Sequence, residues 1–383
     1  MVKNPLEGVR VIEMCSWLTG PIATGMLADQ GADVIKVEAP GGDQLRILGT
    51  SRGGHAAMFM AVNRNKRAIT LDLKQGDHKN ALLELISNAD VFIQNMKPGV
   101  IDKLGFGAEK LRTRFPKLIY ASISGYGQTG PNAHEGAYDN AIQALSGLAV
   151  IQGDKTRPQL VRSIVCDKIA GPIVAQAISS ALFQRERTGE GCLLEYAMLD
   201  AMIWWSWCDG MMNQTFMGDE GVNKGVEVAG HDTICQTDDG YIVVLPHQEK
   251  TWQGFLEVVG RPELGDDPRL SSPAARWDNL DRYTQVVRES FAGKTTAEWC
   301  SLLREKGIPC APVLAPDEVI SYPQVVWNEL IQEAEHPEAG RHRTVRAPVL
   351  FDGHANSVIR PSPAAGADTT EVLQESAIKL STD

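Results

Sequence analysis

The chain has 383 residues, a formal net charge of −11, and 43% apolar against 22% charged residues. At about 100–200 residues per domain, that length holds two domains, and the composition is that of a globular protein with a sizeable core. The acid excess excludes nucleic acid as the principal partner, because phosphate backbones select basic faces, but it leaves room for one small anion on a local basic patch.

In chain order, Arg10–Met14 (RVIEM) reads as a buried strand and Asp33–Glu38 (DVIKVE) as a second. Between them Pro21–Gln30 reads as a helix, with proline suited to its first turn and Gly31 to its stop. Further strands are predicted at Ala68–Leu73, Asp90–Asn95 and Leu118–Ser122, separated by helices at Asp77–Ser87 and Ala108–Arg114. This alternation predicts an α/β fold with a parallel, doubly wound sheet. Ser124–Gly136 (SGYGQTGPNAHEG) is a long glycine-rich loop, and such length inside a compact domain marks function or mobility. Tyr138–Leu148 resumes as helix, Asp167–Arg187 is a long helix ending at Gly189, and Cys192–Met198 is a strand. Leu199–Met212 is a helix carrying Trp204, Trp205 and Trp207, an apolar set suited to the core or a subunit interface. Periodicity is lost in the glycine-rich Asp219–Gly230, a linker. Beyond it a hairpin in TICQTDDGYIVV turns at its Asp-Gly pair, and helices near Thr251–Val259, Asn279–Ala292 and Thr296–Lys306 complete a smaller α+β unit. The expected organisation is a large domain over 1–220, a small one over 225–320, and a return to the large domain over 321–383.

The seven cysteines form no CxxC pair, which reads as reduced, buried thiols and predicts neither a zinc site nor any other metal. The N-terminus MVKNPLEGVR lacks the apolar core of a signal peptide. The apolar runs fall short of the ~20 residues of a membrane span, so a cytoplasmic protein without a membrane partner is expected.

Residue types narrow the chemistry. The turn Ser16-Trp17-Leu18-Thr19-Gly20-Pro21 lacks the glycines of a dinucleotide fingerprint, and the eight histidines have neither ligand nor triad spacing. Arg46, Arg52, Arg64, Lys66, Arg67 and Lys74 form a basic cluster, with Lys97 and Lys103 following a strand end. They read either as a solvated, ion-paired surface or as a seat for the phosphates of a nucleotide-like cofactor; nearness to strand ends favours the second. Asp167 follows an apolar, strand-like piece (SIVC) and opens the long helix. It reads as a helix cap or as a carboxylate nucleophile, kept ionised by the helix dipole, with small Ala170 and Gly171 admitting a ligand. Tyr138 and Asp139 open the helix after the glycine-rich loop. Asp139 suits a cap of that helix, and the loop a lid that excludes water.

Together, PLEGVRVIEM…TGPIATGMLADQGADVIKVEAPGGDQLR, NRNKRAITLDL, ADVFIQNMKPGVIDKLGFG, YASISGYGQTGP, YDNAIQALSGL, VCDKIAGP…ALFQRERTGEG, CQTDDGYIVV and DTTEVLQE resemble, in order, the class III CoA-transferases of the CaiB/BaiF family. The resemblance implies a Rossmann-like large domain with a smaller inserted α+β domain, in ring-like subunits that interlock as a homodimer. It implies acyl-CoA and small carboxylic acids as substrates, no metal, and an aspartyl anhydride and aspartyl–CoA thioester formed on Asp167. Tyr138 and Asp139 would assist. Trp17, Leu71, Asn95 and Lys103 match CoA-contacting positions, and Arg46, Arg64 and Lys97 join them from the basic cluster. Leu18, Ala39 and Gly136 depart from a formyl-CoA transferase, as does the lack of its glycine-rich loop near Gly221–Gly230, which speaks against formyl transfer; a small dicarboxyl-CoA such as succinyl-CoA fits family habit. The 2-methylacyl-CoA racemases share the superfamily and are the alternative. Their second base is a histidine at the place of Tyr138, and a tyrosine of pKa ~10 is a poor base at neutral pH.

Overall fold

The computed structural model describes residues 4–223, 233–355 and 360–380. Six strands, β1 (Arg10–Met14), β2 (Asp33–Glu38), β3 (Arg67–Thr70), β4 (Val91–Gln94), β5 (Ile119–Ser124) and β6 (Leu193–Ala197), form one sheet in the order β3-β2-β1-β4-β5-β6. Every neighbouring pair is parallel. The order reverses between β1 and β4, the switch point where open α/β sheets hold ligands beyond the carboxyl ends of the strands.

Helices α1 (Thr19–Asp29), α2 (Gly76–Ser87), α3 (Ala108–Arg114), α4 (Asp139–Leu145), α5 (Val165–Thr188) and α6 (Met198–Ser206) follow in the same unit. Successive strand residues point to opposite faces, and both faces are covered. Val11 packs with Ala23, Leu27, Val174 and Ile178 from α1 and α5. Its neighbour Ile12 packs with Leu82, Leu85 and Ile86 from α2. Each such valine, leucine or isoleucine contributes about 1.5–3 kcal/mol on burial. Two-sided burial explains why these strands are nearly continuous apolar runs. Among the polar exceptions are Glu13 and Lys36, which stand opposite each other in the β1–β2 register and are both 0% exposed.

Some boundaries differ from those expected. The predicted helix over 138–148 breaks after Leu145, at Gly147 with φ +84, and a separate short helix continues over Leu148–Gln152. The long helix begins at Val165, so the apolar piece before Asp167 is not strand but runs into the helix's own first turn. The Trp-bearing helix ends at Ser206, and Trp204 is 72% exposed rather than in the core of the chain.

The chain divides into two compact units, Met1–Trp207 with Trp327–Asp383, and Cys208–Val326. The second unit contains the antiparallel hairpin Ile234–Gln236 and Tyr241–Val244, joined by Cys310–Pro312. Trp252, Phe255, Phe291 and Trp299 form its core. The linker and the glycine-rich stretch near Gly221–Gly230 fall largely outside the described residues. No helix among the described residues is long and apolar enough to cross a membrane.

Candidate active site

The loops leaving β1 and β4 meet at the switch point. The Asn95 side chain joins them: its Oδ1 accepts the Ser16 N–H at 3.0 Å, and its Nδ2 donates to the Ser16 carbonyl at 2.8 Å. Trp17 next to it adopts φ +64, a left-handed conformation rare for a bulky residue. Its N–H points to Asp43 Oδ1 at 3.4 Å.

A cavity of about 460 Å³ opens here, lined among others by Trp17, Thr19, Lys97, Tyr138, Asp139 and Asp167. The glycine-rich loop contributes Gly125, Ala133, Glu135 and Gly136 to its wall. A second cavity of about 410 Å³, lined by Leu71, Asp72, Lys74 and Glu38, shares Ser16, Asn95 and Met96 with the first. The Ser16–Asn95 bridge therefore forms a common sill.

Asp167 lies half-buried in the first turn of α5, whose N-cap residue is Ile164. Its Oδ1 accepts the Thr19 N–H at 3.1 Å and the Thr19 hydroxyl. Asp139 was expected to cap its own helix, but its carboxylate crosses to the next one. Its Oδ2 accepts the Cys166 N–H at 2.6 Å, and its Oδ1 accepts from Gln143 Nε2 at 2.5 Å. Asp139 is 9% exposed and satisfies an orphan donor at the start of α5. Asp167 is thereby left to face the cavity.

Burial pushes the Asp167 carboxyl above its usual range; the Thr19 hydroxyl pulls it back, and the nearby Asp139 charge adds to the rise. The rise comes from desolvation, although the residue sits in the first turn of a helix. If Asp167 acts as a carboxylate, kcat/KM falls as the pH drops through its raised pKa, so the acid limb lies above the ~3.9 of a free aspartate. Thr19→Val removes a donor to the charged form and is expected to move that limb to still higher pH. A pH profile of kcat/KM for the two proteins reads the sign, and an unmoved or lowered limb contradicts it.

The other expected residues divide. Leu71 lines the second cavity, Trp17 and Lys97 the first, and Asn95 both. Tyr138 stands at the start of α4, lines the first cavity and is 70% exposed. Lys103 is exposed on the short helix Val100–Leu104 and lines neither cavity. Arg46 and Arg64 line neither cavity. Arg46 donates to Glu38 at 2.8 and 2.5 Å and to the Pro363 carbonyl, and Arg64 pairs with Asp29. Arg67 is held by Asp33 and Glu375, and Lys66 by Glu13. Carboxylates on β1, β2, α1 and the C-terminal segment pair with these cations. Ala170 and Gly171 were expected to admit a ligand. Both are buried, and a Cβ on Gly171 would stand 2.3 Å from Ile22 Cγ2 of α1, so their small size serves helix contact rather than ligand entry.

Thr19 was not singled out by sequence reasoning. A hydroxyl residue just after a strand end at a switch point is a signal that could have found it.

Residues 6–369 match the model of CoA-transferase family III. The chain belongs to CoA-transferase family III. It is an enzyme of the class III CoA-transferase type. It is similar to succinyl-CoA:glutarate CoA-transferase of Mus musculus, 33% identical over 97% of this chain and 86% of that protein. It is likewise similar to formyl-CoA:oxalate CoA-transferase of Streptomyces coelicolor, 34% identical over 97% of this chain and 95% of that one. Among solved structures, a CaiB/BaiF family protein from Brucella suis superposes with a TM-score of 0.84 at 29% identity, covering 98% of this chain and 100% of that chain.

Proposed function

We propose that this enzyme moves coenzyme A from an acyl-CoA donor to a small carboxylic acid, with Asp167 as the covalent nucleophile. One observation carries the reading: a half-buried carboxylate, relieved of capping by Asp139, faces a cavity at the sheet's switch point. The Asp167 oxygen attacks the thioester carbonyl, the C–S bond breaks, and CoA thiolate leaves behind a mixed anhydride. Thiolate then attacks the aspartyl carbonyl and the donor acid leaves as carboxylate, giving an aspartyl–CoA thioester. The acceptor carboxylate attacks that carbonyl and expels thiolate. Thiolate attacks the acceptor's carbonyl in the second anhydride and releases new acyl-CoA and free Asp167. No proton or water is consumed, so every intermediate needs protection from water. The Thr19 N–H and hydroxyl, already at Oδ1 in the resting enzyme, suit the oxyanion that forms on the aspartyl carbonyl.

Two cavities sharing one sill suit a ligand with two ends. The thioester would lie by Asp167 and the nucleotide by Leu71 and Lys74, with the pantetheine arm crossing Ser16 and Asn95. No histidine lines the first cavity among the described residues, which leaves a two-base racemase without its second base. An interlocked homodimer belongs to the same proposal and would give the exposed Trp204 a partner.

Lys97 is the sole cation among the described residues lining the first cavity, and it makes no ion pair there. Its Nζ lies 4.0 Å from where a Cβ on Gly136 would stand. We assign it to the far carboxylate of a dicarboxylic acceptor, the class to which glutarate and oxalate in the relatives' names belong. Lys97→Met is expected to raise KM for a dicarboxylic acceptor about tenfold, the weight of one charged hydrogen bond, and to leave a monocarboxylic acceptor nearly unchanged. Steady-state kinetics with both acids checks it, and equal losses on the two would remove the assignment. The whole reading is tested by a panel of acyl-CoA donors against short carboxylic acids; absence of CoA exchange in every combination refutes it.

A further inference from the structure

Four buried charged residues stand behind the loop that carries Thr19. Glu13 Oε1 lies 3.0 Å from Lys36 Nζ, and Glu13 Oε2 lies 2.9 Å from Lys66 Nζ and accepts the Thr24 hydroxyl at 2.6 Å. Lys36 Nζ is also 3.0 Å from Asp43 Oδ2. All four side chains are 0–1% exposed. Burial pushes the Glu13 carboxyl up, but Lys36 and Lys66 pull it down to about 2, so Glu13 is a carboxylate; burial lowers Lys66 to about 8 against the pull of Glu13.

Such burial is costly, and an apolar set of equal volume would hold the sheet as well or better. Apolar side chains cannot, however, bind backbone. Each arm of this network ends on the backbone of one short segment. Lys36 donates to the Cys15 carbonyl at 2.7 Å, Asp43 faces the Trp17 N–H at 3.4 Å, and Lys66 donates to the Pro21 carbonyl at 2.9 Å. Thr19 lies between the second and third of these points, and Trp17 is held left-handed between the first and third. A conformation of that kind persists only where its surroundings over-determine it.

We propose that Glu13, Lys36, Asp43 and Lys66 are positioning residues that hold the segment 15–21, the turn after β1 with the start of α1, so that Thr19 donates to Asp167. The inference rests on the reading of Asp167 as nucleophile for its bearing on catalysis, but its geometry stands apart from that reading. None of the four touches Asp167; they act through the backbone on either side of Thr19.

The test uses two charge-balanced pairs, so that neither leaves an unmatched buried charge. Glu13→Gln with Lys66→Met releases Pro21 and keeps the Lys36–Asp43 pair. Lys36→Met with Asp43→Asn releases Cys15, leaves the Trp17 N–H only a neutral amide oxygen, and keeps the Glu13–Lys66 pair. In each, the ionisation of Asp167 is followed by infrared spectroscopy as the carboxyl band that Asp167→Asn lacks. With Thr19 displaced, the midpoint is expected to rise by about half a pH unit or more. Turnover is expected to fall about 30-fold, as for a misplaced reacting group, while KM for acyl-CoA stays within about threefold. If the pairs fold and the midpoint stays at the wild-type value, the proposal is overturned. It is equally overturned if neither pair folds by circular dichroism, since the network would then hold the sheet rather than the loop. A raised midpoint in an enzyme whose wild type moves no CoA would uphold the positioning role and refute the transferase reading instead.

Discussion

Asp167→Asn is expected to lower CoA transfer by about 10³-fold or more, the scale on which loss of a covalent nucleophile is felt. The amide keeps the shape of the carboxylate and can still accept from the Thr19 N–H, so the loop and the cavity stay in place. What it lacks is the charged oxygen that attacks the thioester. Stability should hold or rise. Burial raises the pKa of Asp167, so at neutral pH the fold carries a carboxylate that it disfavours, and a neutral amide removes that cost. Binding of free CoA should persist, because the second cavity draws on Leu71, Asp72 and Lys74 rather than on Asp167. After incubation with acyl-CoA, hydroxylamine should mark Asp167 in the wild type and leave the variant unmarked. Turnover within tenfold of wild type, or a mark on another residue, would remove Asp167 from the covalent role.

How far such a site can be read from sequence depends on the range of the interactions that build it. β1 and β2 run over the residues expected, because strands buried on both faces carry apolar runs such as Val11-Ile12 and Val34-Ile35. Gly31 stops α1 with φ +96, a conformation glycine adopts without strain. These are local causes. The pairing of Thr19 with Asp167 spans 148 positions, and no periodicity announces it. The same holds for Asp139, whose role as a helix cap was visible but whose helix was not, since its donor lies 27 positions away. The basic cluster shows the opposite case: Arg46, Arg64 and Arg67 are visible in the sequence, but which carboxylate each meets is decided by the sheet. Glu13 and Lys36 held a readable clue. Opposite charges inside neighbouring buried strands must be paired, and the parallel register sets them opposite each other.

Gly171→Ala tests whether the contact between α1 and α5 is as close as the site requires. In a helix interior alanine is favoured over glycine by about 1 kcal/mol, so propensity alone predicts a more stable protein. Packing predicts the reverse. The added Cβ would lie 2.3 Å from Ile22 Cγ2, 2.7 Å from Ile22 Cβ and 3.4 Å from the Ala23 nitrogen. The second of these atoms is fixed to the backbone, so a rotamer change cannot clear it, and the helices must part. Overpacking of this kind costs about 1–3 kcal/mol, and a net loss of stability is expected by thermal unfolding. Asp167 and Gly171 are four residues apart on one face of α5, as Thr19 and Ile22 are three apart on one face of α1. The glycine contact therefore lies one turn from the Thr19–Asp167 hydrogen bonds, and parting the helices lengthens them. Turnover should fall about tenfold or more, since small misplacements of a reacting group weigh heavily. Adding Ile22→Ala removes the clashing atoms, so the double variant should regain stability relative to Gly171→Ala, with a coupling of about 1 kcal/mol or more in the cycle. A Gly171→Ala protein that is more stable than wild type and fully active would show that the helices can separate without cost to the site.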